Sequence, residues 1–180
     1  MIPIIRIGGA LLMIAMAARP LTAQGAPGAA PPRAQVVAAA REIMKGARYC
    51  TLVTIGLDGQ PQARVVDAFA PDSGLTVWIA TNAVTRKVGE IRQDPRVTML
   101  YYNPTTFEYV TVIGRATLVD DAAQKAARWK PEWSKLYKDE NRGTDYLLIR
   151  VIPSRLEVVS VARGINNDPV TWRPTIVEWP

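Results

Sequence analysis

The chain has 180 residues, with 22 lysines and arginines against 16 acidic residues, one cysteine and no histidine. The absence of histidine excludes Ser-His-Asp triads and His-ligated zinc or haem, and no Gly-x-x-x-x-Gly-Lys or Gly-x-Gly-x-x-Gly motif of the common nucleotide-binding folds occurs. We expect no metal site, and the net charge of +6 comes from scattered residues that do not predict nucleic-acid binding.

The N-terminal segment has the pattern of a secretory signal peptide. Arg6 precedes an uncharged apolar stretch, Ile7 to Ala18, and Leu-Thr-Ala then offers a cleavage site after Ala23. The apolar stretch is shorter than the ~20 residues that span a bilayer, so we expect no stable membrane insertion after cleavage. We therefore predict a signal peptide at 1–23, a Pro-, Gly- and Ala-rich disordered linker at 24–33, and a periplasmic or secreted protein.

Residues 34–180 form one predicted domain, which begins with a helix at 34–47 and continues mostly with strands. β-rich runs at 49–57 and 62–70 flank Asp58-Gly59, a strong hairpin signal. Antiparallel pairing of these two strands follows from the hairpin turn.

Cys50 has no partner for an intramolecular disulfide, so we expect a buried strand thiol, with an intermolecular bond as the alternative.

The middle of the domain alternates strands with one short helix. A strand at about 75–80 precedes a helix that starts near Thr85 and ends at Asp94-Pro95. Strands at 97–102 and 109–119 follow, and Gly114 predicts a bulge or bend in the second of them.

The C-terminal part is predicted to contain a long helix and a long strand. The helix, at 121–137, carries Trp129, Trp133 and Tyr137 on one stripe, which favours core packing over a dimer contact or a ligand lid. The β segment at 146–161 contains Pro153, which predicts a break or a change of partner. The fold class is mainly β: an antiparallel barrel with peripheral helices.

A phosphate site is predicted at the turn before the short helix. Thr85, Arg86 and Lys87 fall in its first turn, where free backbone N–H groups and two cations suit a dianion. The alternative is a solvated helix end, but cations at a helix N-terminus oppose the macrodipole and are better explained by an anion between them.

Arg64 is a second basic candidate, because it interrupts the apolar run 63–69. A cation in such a run needs a partner or a route to water. Its alternatives are a surface strand arginine or a salt bridge to Asp67 or Glu90. Together with Arg86 and Lys87 it suggests an organic phosphate ligand.

Several short motifs occur in a familiar order. They are Arg64-Val-Val, Thr85-Arg-Lys-Val, Asp94-Pro-Arg-Val, Tyr109-Val-Thr-Val-Ile-Gly-Arg-Ala and Trp129-Lys-Pro. Over about residues 35–160 this order resembles the FMN-binding split barrels related to pyridoxamine 5'-phosphate oxidase, especially the general stress protein 26-like branch. The resemblance implies an antiparallel split β-barrel of the FMN-binding type.

The resemblance also implies a cofactor site at the interface of a homodimer. Arg64, Arg86 and Lys87 would hold the FMN phosphate, and the flavin and ribityl chain would meet the other positions. The full set of implied cofactor-binding residues is Arg64, Val65, Val66, Thr81, Asn82, Thr85, Arg86, Lys87, Tyr109 and Trp172.

The chain departs from the oxidase where that enzyme recognises its substrate. The C-terminal Arg-x-His is missing, Tyr109 stands where a glutamine is expected, and Trp172-Arg173 has a different spacing that also fits a structural tail. We therefore expect an FMN-dependent oxidoreductase of another substrate, with no acid or base catalyst indicated. The alternatives are an F420-binding reductase, a non-catalytic flavin- or phosphate-binding stress protein, and a structural barrel that has lost its cofactor.

Overall fold

The computed structural model of the protein describes residues 30–137 and 145–179. The predicted signal peptide and most of the predicted linker lie outside these residues. Within them, no helix combines the length and apolar character needed to cross a bilayer.

The described residues form one antiparallel sheet with helices around it. The helices are α1 (Arg33–Gly46), α2 (Arg86–Gln93) and α3 (Ala122–Ala127), and the strands are β1 (Tyr49–Ile55), β2 (Pro61–Asp67), β3 (Val77–Asn82), β4 (Arg96–Tyr102), β5 (Tyr109–Val119), β6 (Tyr146–Val159) and β7 (Thr175–Glu178). The strand order is β2-β1-β4-β5-β6-β3, with β7 added to β6. Between the end strands β2 and β3 the described chain has one isolated bridge, Ala68 to Ile79, so the barrel is split and the predicted fold class is confirmed.

The first hairpin forms where the sequence predicts it. β1 and β2 pair from Tyr49 opposite Asp67 to Ile55 opposite Pro61. Gly59 adopts φ 80°, and the N–H of Gly56 donates to the Gln60 carbonyl at 2.8 Å. Residues at the turn that tolerate positive φ therefore set the register of both strands.

The core lies between the inner face of the sheet and α1. Leu52, Met99, Val112 and Leu156 occupy one cross-strand row, and all four are fully buried. The apolar stripe of α1 covers them with residues at helical spacing. Its buried members are Val36, Ala39, Ala40, Ile43 and Met44. Cys50 is also buried, as expected.

The β5–β6 ladder contains the predicted bulge. The register shifts between Ile113 and Gly114, opposite Pro153. A break in β6 at Pro153 is wrong, since β6 is continuous from Tyr146 to Val159. The predicted change of partner is confirmed, because residues 146–151 pair with β3 and residues 155–158 pair with β7. The bulge accommodates a proline that cannot donate to a ladder.

The predicted long helix at 121–137 is wrong. α3 ends at Ala127, and a 3-10 helix follows at Pro131–Lys135. Pro131 disfavours helical backbone in the residue before it, and Lys130 is extended with φ −113° and ψ 128°. The aromatic residues still pack together, as the core interpretation predicts. Their cluster comprises Phe69, Trp129, Trp133, Tyr137 and Tyr146.

The bulge at Gly114 gives a stability prediction. A Cβ at Gly114 would lie 2.3 Å from the Ile152 carbonyl oxygen, so Gly114→Ala must displace backbone. We expect a loss of about 1–3 kcal/mol in the free energy of unfolding, measured by urea denaturation. The control is Gly89→Ala in α2, where nothing lies within 4 Å of the new methyl group. Helix propensity should then stabilise the protein by up to about 1 kcal/mol. Equal midpoints for the two variants would contradict the close approach at Gly114.

Candidate functional site

A tight turn connects β3 to α2. The Asn82 carbonyl accepts the N–H of Thr85 at 3.1 Å and its hydroxyl at 2.9 Å, while Asn82 Oδ1 accepts the N–H of Val84 at 3.0 Å. The buried Thr81 hydroxyl lies 3.1 Å from the hydroxyl of Thr85. These bonds reverse the chain and make Thr85 the N-cap of α2, one residue before the first helical turn in which the sequence placed it, while Arg86 and Lys87 lie in that turn as predicted.

The first turn of α2 has unused hydrogen-bond donors. The Thr85 side chain makes no capping bond to the helix. The backbone amides of Arg86 and Lys87 donate no hydrogen bond to another residue in the ranges that the structure describes. Such amides at a helix start are ready donors for an anion.

Arg64 points to the inner face of the barrel. It pairs with Leu52 in the β1–β2 ladder, and its side chain is only 19% exposed. Its Nη1 donates to the Thr54 hydroxyl, and its Nη2 donates to Glu90 Oε2 at 2.8 Å. The interpretation as a surface arginine is therefore wrong, and the alternative salt bridge to Glu90 is present. Two of the five guanidinium N–H groups are used.

Asp67, the other partner considered for Arg64, is occupied elsewhere. Its Oδ2 lies 3.4 Å from Arg48 and 3.6 Å from Lys130. Glu90 is therefore the partner that keeps Arg64 on the inner face.

Glu90 is the buried centre of a charged cluster that also contains Arg64, Arg86 and Lys87, and 1% of its side chain is exposed. Its Oε2 accepts the Thr54 hydroxyl at 2.5 Å in addition to Arg64. Burial alone would raise the pKa of Glu90, but the Thr54 hydrogen bond and the charges of Arg64 and Arg86 outweigh burial and lower it. Glu90 is thus ionised at neutral pH.

Arg86 makes a weaker contact with the same carboxylate. Its Nε lies 2.8 Å from Glu90 Oε1, four residues along the helix, yet this oxygen receives no hydrogen bond of acceptable geometry. The Arg86 side chain is 67% exposed. It is consequently free to turn toward a ligand at modest cost.

Lys87 is the third cation of the cluster and is partly buried. Burial, and then the positive charge of Arg64, lower the pKa of Lys87 against the opposing effect of Glu90. Among the described residues it has no hydrogen-bond or ion-pair partner. These four residues lie at the corner formed by β2 and the β3–α2 turn. Their three cations and one carboxylate give this corner a net charge of +2, which matches the dianion of a phosphate monoester.

Val65 and Val66 lie next to Arg64 on β2. Val65 is 70% exposed and Val66 is buried, as alternation along a strand requires. β2 is one end of the strand order, so alternate backbone groups face away from β1. These groups can meet a ligand beside Arg64.

Tyr109 and Trp172 are not brought to this corner within one chain. Tyr109 lies opposite Tyr102 on the outer face, three residues from the inward Val112, whereas Arg64 faces inward. Burial, and then Glu157, raise the pKa of Tyr109. Trp172 is 76% exposed and precedes β7, which pairs with the end of β6 that is remote from β3.

The sequence does not identify Thr54, because a threonine in an apolar strand carries no distinctive signal. Its hydroxyl meets Glu90 only when α2 packs against β1. The sequence offers Glu90 as a partner of Arg64, and the four-residue spacing from Arg86 to Glu90 is an additional ion-pair signal that points to its contact with Arg86.

Comparison with known proteins identifies the family. The family model described as pyridoxamine 5'-phosphate oxidase matches residues 36–160. The chain belongs to this family. Among curated proteins, none matches the sequence.

Solved structures share the fold at low sequence identity. A protein related to general stress protein 26 from Clostridium acetobutylicum has a TM-score of 0.66 and 14% identity over 80% of this chain and 94% of its own. General stress protein 26 from Bacillus anthracis has a TM-score of 0.64 and 20% identity, over 81% of this chain and 99% of its own. An FMN-binding, pyridoxamine 5'-phosphate oxidase-related protein from Nostoc punctiforme has a TM-score of 0.55 and 18% identity, over 84% of this chain and 99% of its own.

The charge of Lys87 gives a second prediction. A lowered pKa means that the folded protein disfavours the charged amine, so below that pKa Lys87 opposes folding, and the penalty is relieved as pH rises through it. We expect Lys87→Gln to raise the melting temperature of the ligand-free protein at pH 7, on the order of 1 °C, in a thermal-shift measurement.

The matched control is Arg92→Gln. It removes the same charge from the last turn of α2, where a cation favours the helix dipole, so a small decrease is expected. A decrease for both variants would argue against unfavourable charge at Lys87.

Proposed function

We propose that this protein binds FMN through the corner formed by β2 and the β3–α2 turn, and that it is an FMN-dependent oxidoreductase. The observation that carries the proposal is the cluster of Arg64, Arg86 and Lys87 with its net charge of +2, in a chain of the pyridoxamine 5'-phosphate oxidase family. A structural neighbour described as FMN-binding supports the choice of flavin.

The residues present fit a phosphate monoester. Arg64 keeps three N–H donors, Lys87 has an unpaired ammonium group among the described residues, and the amides of Arg86 and Lys87 add backbone donors. Thr81, Asn82 and Thr85 would line the approach to the phosphate. The free edge of β2 at Val65 and Val66 would meet the ring system.

Bound FMN would supply hydride or electron transfer, while the protein positions the flavin and selects what stacks on it. The chain's own residues at this corner bind and orient. Its cations hold the phosphate, and the free edge of β2 provides backbone donors and acceptors. The lack of histidine argues against true pyridoxamine 5'-phosphate oxidation.

A second copy of the chain would complete the site. Tyr109 and Trp172 do not reach the cluster in one chain, and the outer face of the sheet exposes apolar side chains on β2 and β4, namely Val65, Leu100 and Tyr102. We propose a homodimer in which these surfaces meet and the flavin lies at the interface.

A non-catalytic flavin- or phosphate-binding stress protein is the second candidate. The charged side chains of the corner are all engaged with each other or suited to anion binding, and none is placed as an acid or base catalyst. Reduction of the bound flavin by NAD(P)H or another donor would distinguish an oxidoreductase from this binding protein.

The proposal is tested by titrating the purified protein with FMN and with riboflavin, which lacks the phosphate. Retained flavin absorbance after desalting and a preference for FMN are expected. Arg64→Ala and Lys87→Ala should each weaken FMN binding at least about tenfold, or 1.4 kcal/mol, and leave riboflavin binding unchanged.

Arg92→Ala, on the same helix, is the charge-matched control and should bind FMN normally.

FMN binding should also stabilise the protein. At 100 times the dissociation constant FMN should add about 2.7 kcal/mol to the free energy of unfolding, which is visible as a rise in the melting temperature. FMN titrations that neither variant alters would overturn the phosphate site. F420 binding without FMN binding would reassign the cofactor.

We also propose that the protein is exported, from the apolar pattern between Arg6 and Ala23. Expression of the full chain in a Gram-negative host should give a periplasmic product whose N-terminus, read by mass spectrometry, is Gln24. A cytoplasmic product that retains residues 1–23 would contradict export.

A further inference from the structure

Glu90 places a negative charge in a site that is proposed to bind a negatively charged phosphate. Its carboxylate is buried, ionised and in direct contact with two of the three cations. A negative charge beside a bound phosphate repels it. A simple charge count therefore predicts that the protein would bind FMN better without Glu90.

We propose that Glu90 is a positioning residue for phosphate binding, which holds Arg64 in its binding orientation and thereby favours the ligand despite the repulsion. This inference rests on the proposed FMN function. It assigns to Glu90 an effect opposite in sign to the one that its charge alone would have.

The hydrogen-bond geometry supports this role. Glu90 Oε2 accepts Arg64 Nη2 at 2.8 Å and the Thr54 hydroxyl at 2.5 Å, and Thr54 in turn accepts Arg64 Nη1. Two nitrogen atoms of Arg64 are thus held by hydrogen bonds to Thr54 on β1 and Glu90 on α2. A guanidinium fixed in this way keeps its remaining N–H donors oriented for a ligand.

Without Glu90 the energetic balance for Arg64 changes. The long Arg64 side chain is still 19% exposed, so it would turn toward water once its buried counter-ion is gone. Binding phosphate would then require ordering the arginine and withdrawing it from water, which weakens affinity. Preorganisation therefore opposes the direct repulsion.

Glu90→Gln separates the two effects because it removes the charge and keeps the shape. One carboxylate oxygen becomes an NH2 group, so Arg64 loses its buried counter-charge, and only one terminal atom of the amide can still accept from Arg64 and Thr54. We expect FMN to bind about tenfold more weakly, with riboflavin affinity unchanged. The ratio of the two dissociation constants reports on the phosphate and is unaffected by a general loss of stability.

Two further variants keep the test sharp. Thr54→Val removes the hydroxyl that links Arg64 to Glu90 without altering any charge, so it should also weaken FMN selectively. Glu42→Gln, at an exposed carboxylate that pairs with Lys45 on α1, is the matched control and should bind like wild type.

The decisive comparison is a double-mutant cycle. If Glu90 acts through Arg64, then Glu90→Gln in an Arg64→Ala background should leave FMN affinity unchanged or increase it, because only repulsion remains to be removed. The sign of the Glu90→Gln effect should thus differ between the two backgrounds.

Several outcomes would overturn the inference. Tighter FMN binding by Glu90→Gln alone would show that repulsion dominates. Equal weakening of FMN and riboflavin would indicate a structural role only. Wild-type protein that does not prefer FMN to riboflavin would refute the proposed function itself, whereas phosphate-dependent binding that Glu90→Gln does not weaken would refute only the role of Glu90.

Discussion

A permanent positive charge on the inner face of an apolar barrel requires a buried anion, and here Glu90 meets that requirement for Arg64. Because Arg64 belongs to β2 and Glu90 to α2, their ion pair fixes the helix against the first hairpin. The Thr54 hydroxyl adds a contact to β1. The start of α2, with Arg86 and Lys87, is consequently held next to Arg64.

The split in the barrel explains why this corner is accessible. β2 and β3 are the two ends of the strand order, and an isolated bridge from Ala68 to Ile79 is their pairing within the described chain. Arg64 lies on one of these strands, and the turn to α2 follows the other. The cationic cluster therefore gathers at the opening, where strand edges also have backbone groups to offer. A fully closed barrel would have used those groups in its own ladder.

Local signals allowed most of this arrangement to be predicted from the sequence. Asp58-Gly59 specified the first hairpin, Asp94-Pro95 ended α2, and Gly114 marked the bulge. The helix predicted at 121–137 is interrupted after Ala127, because Pro131 forces extended backbone on Lys130, and this local effect outweighs the helical spacing of the aromatic residues. β7 and Thr54 depend on contacts with segments distant in sequence, for which a single sequence offers no pattern. Of the expected site, the members near the β3–α2 turn and on β2 come together, whereas Tyr109 and Trp172 would need another chain.

The charge of the corner would couple binding of the proposed phosphate ligand to the stability of the fold. Glu90 neutralises only one of three nearby cations, and partial burial beside Arg64 lowers the pKa of Lys87, so the ligand-free protein carries an unfavourable charge. A buried second carboxylate would remove this cost, but it would also compete with an anionic ligand. A single carboxylate that binds Arg64 leaves Lys87 and the helix amides available to the proposed anionic ligand. Binding of a dianion there would supply the missing negative charge and so add to the stability of the fold.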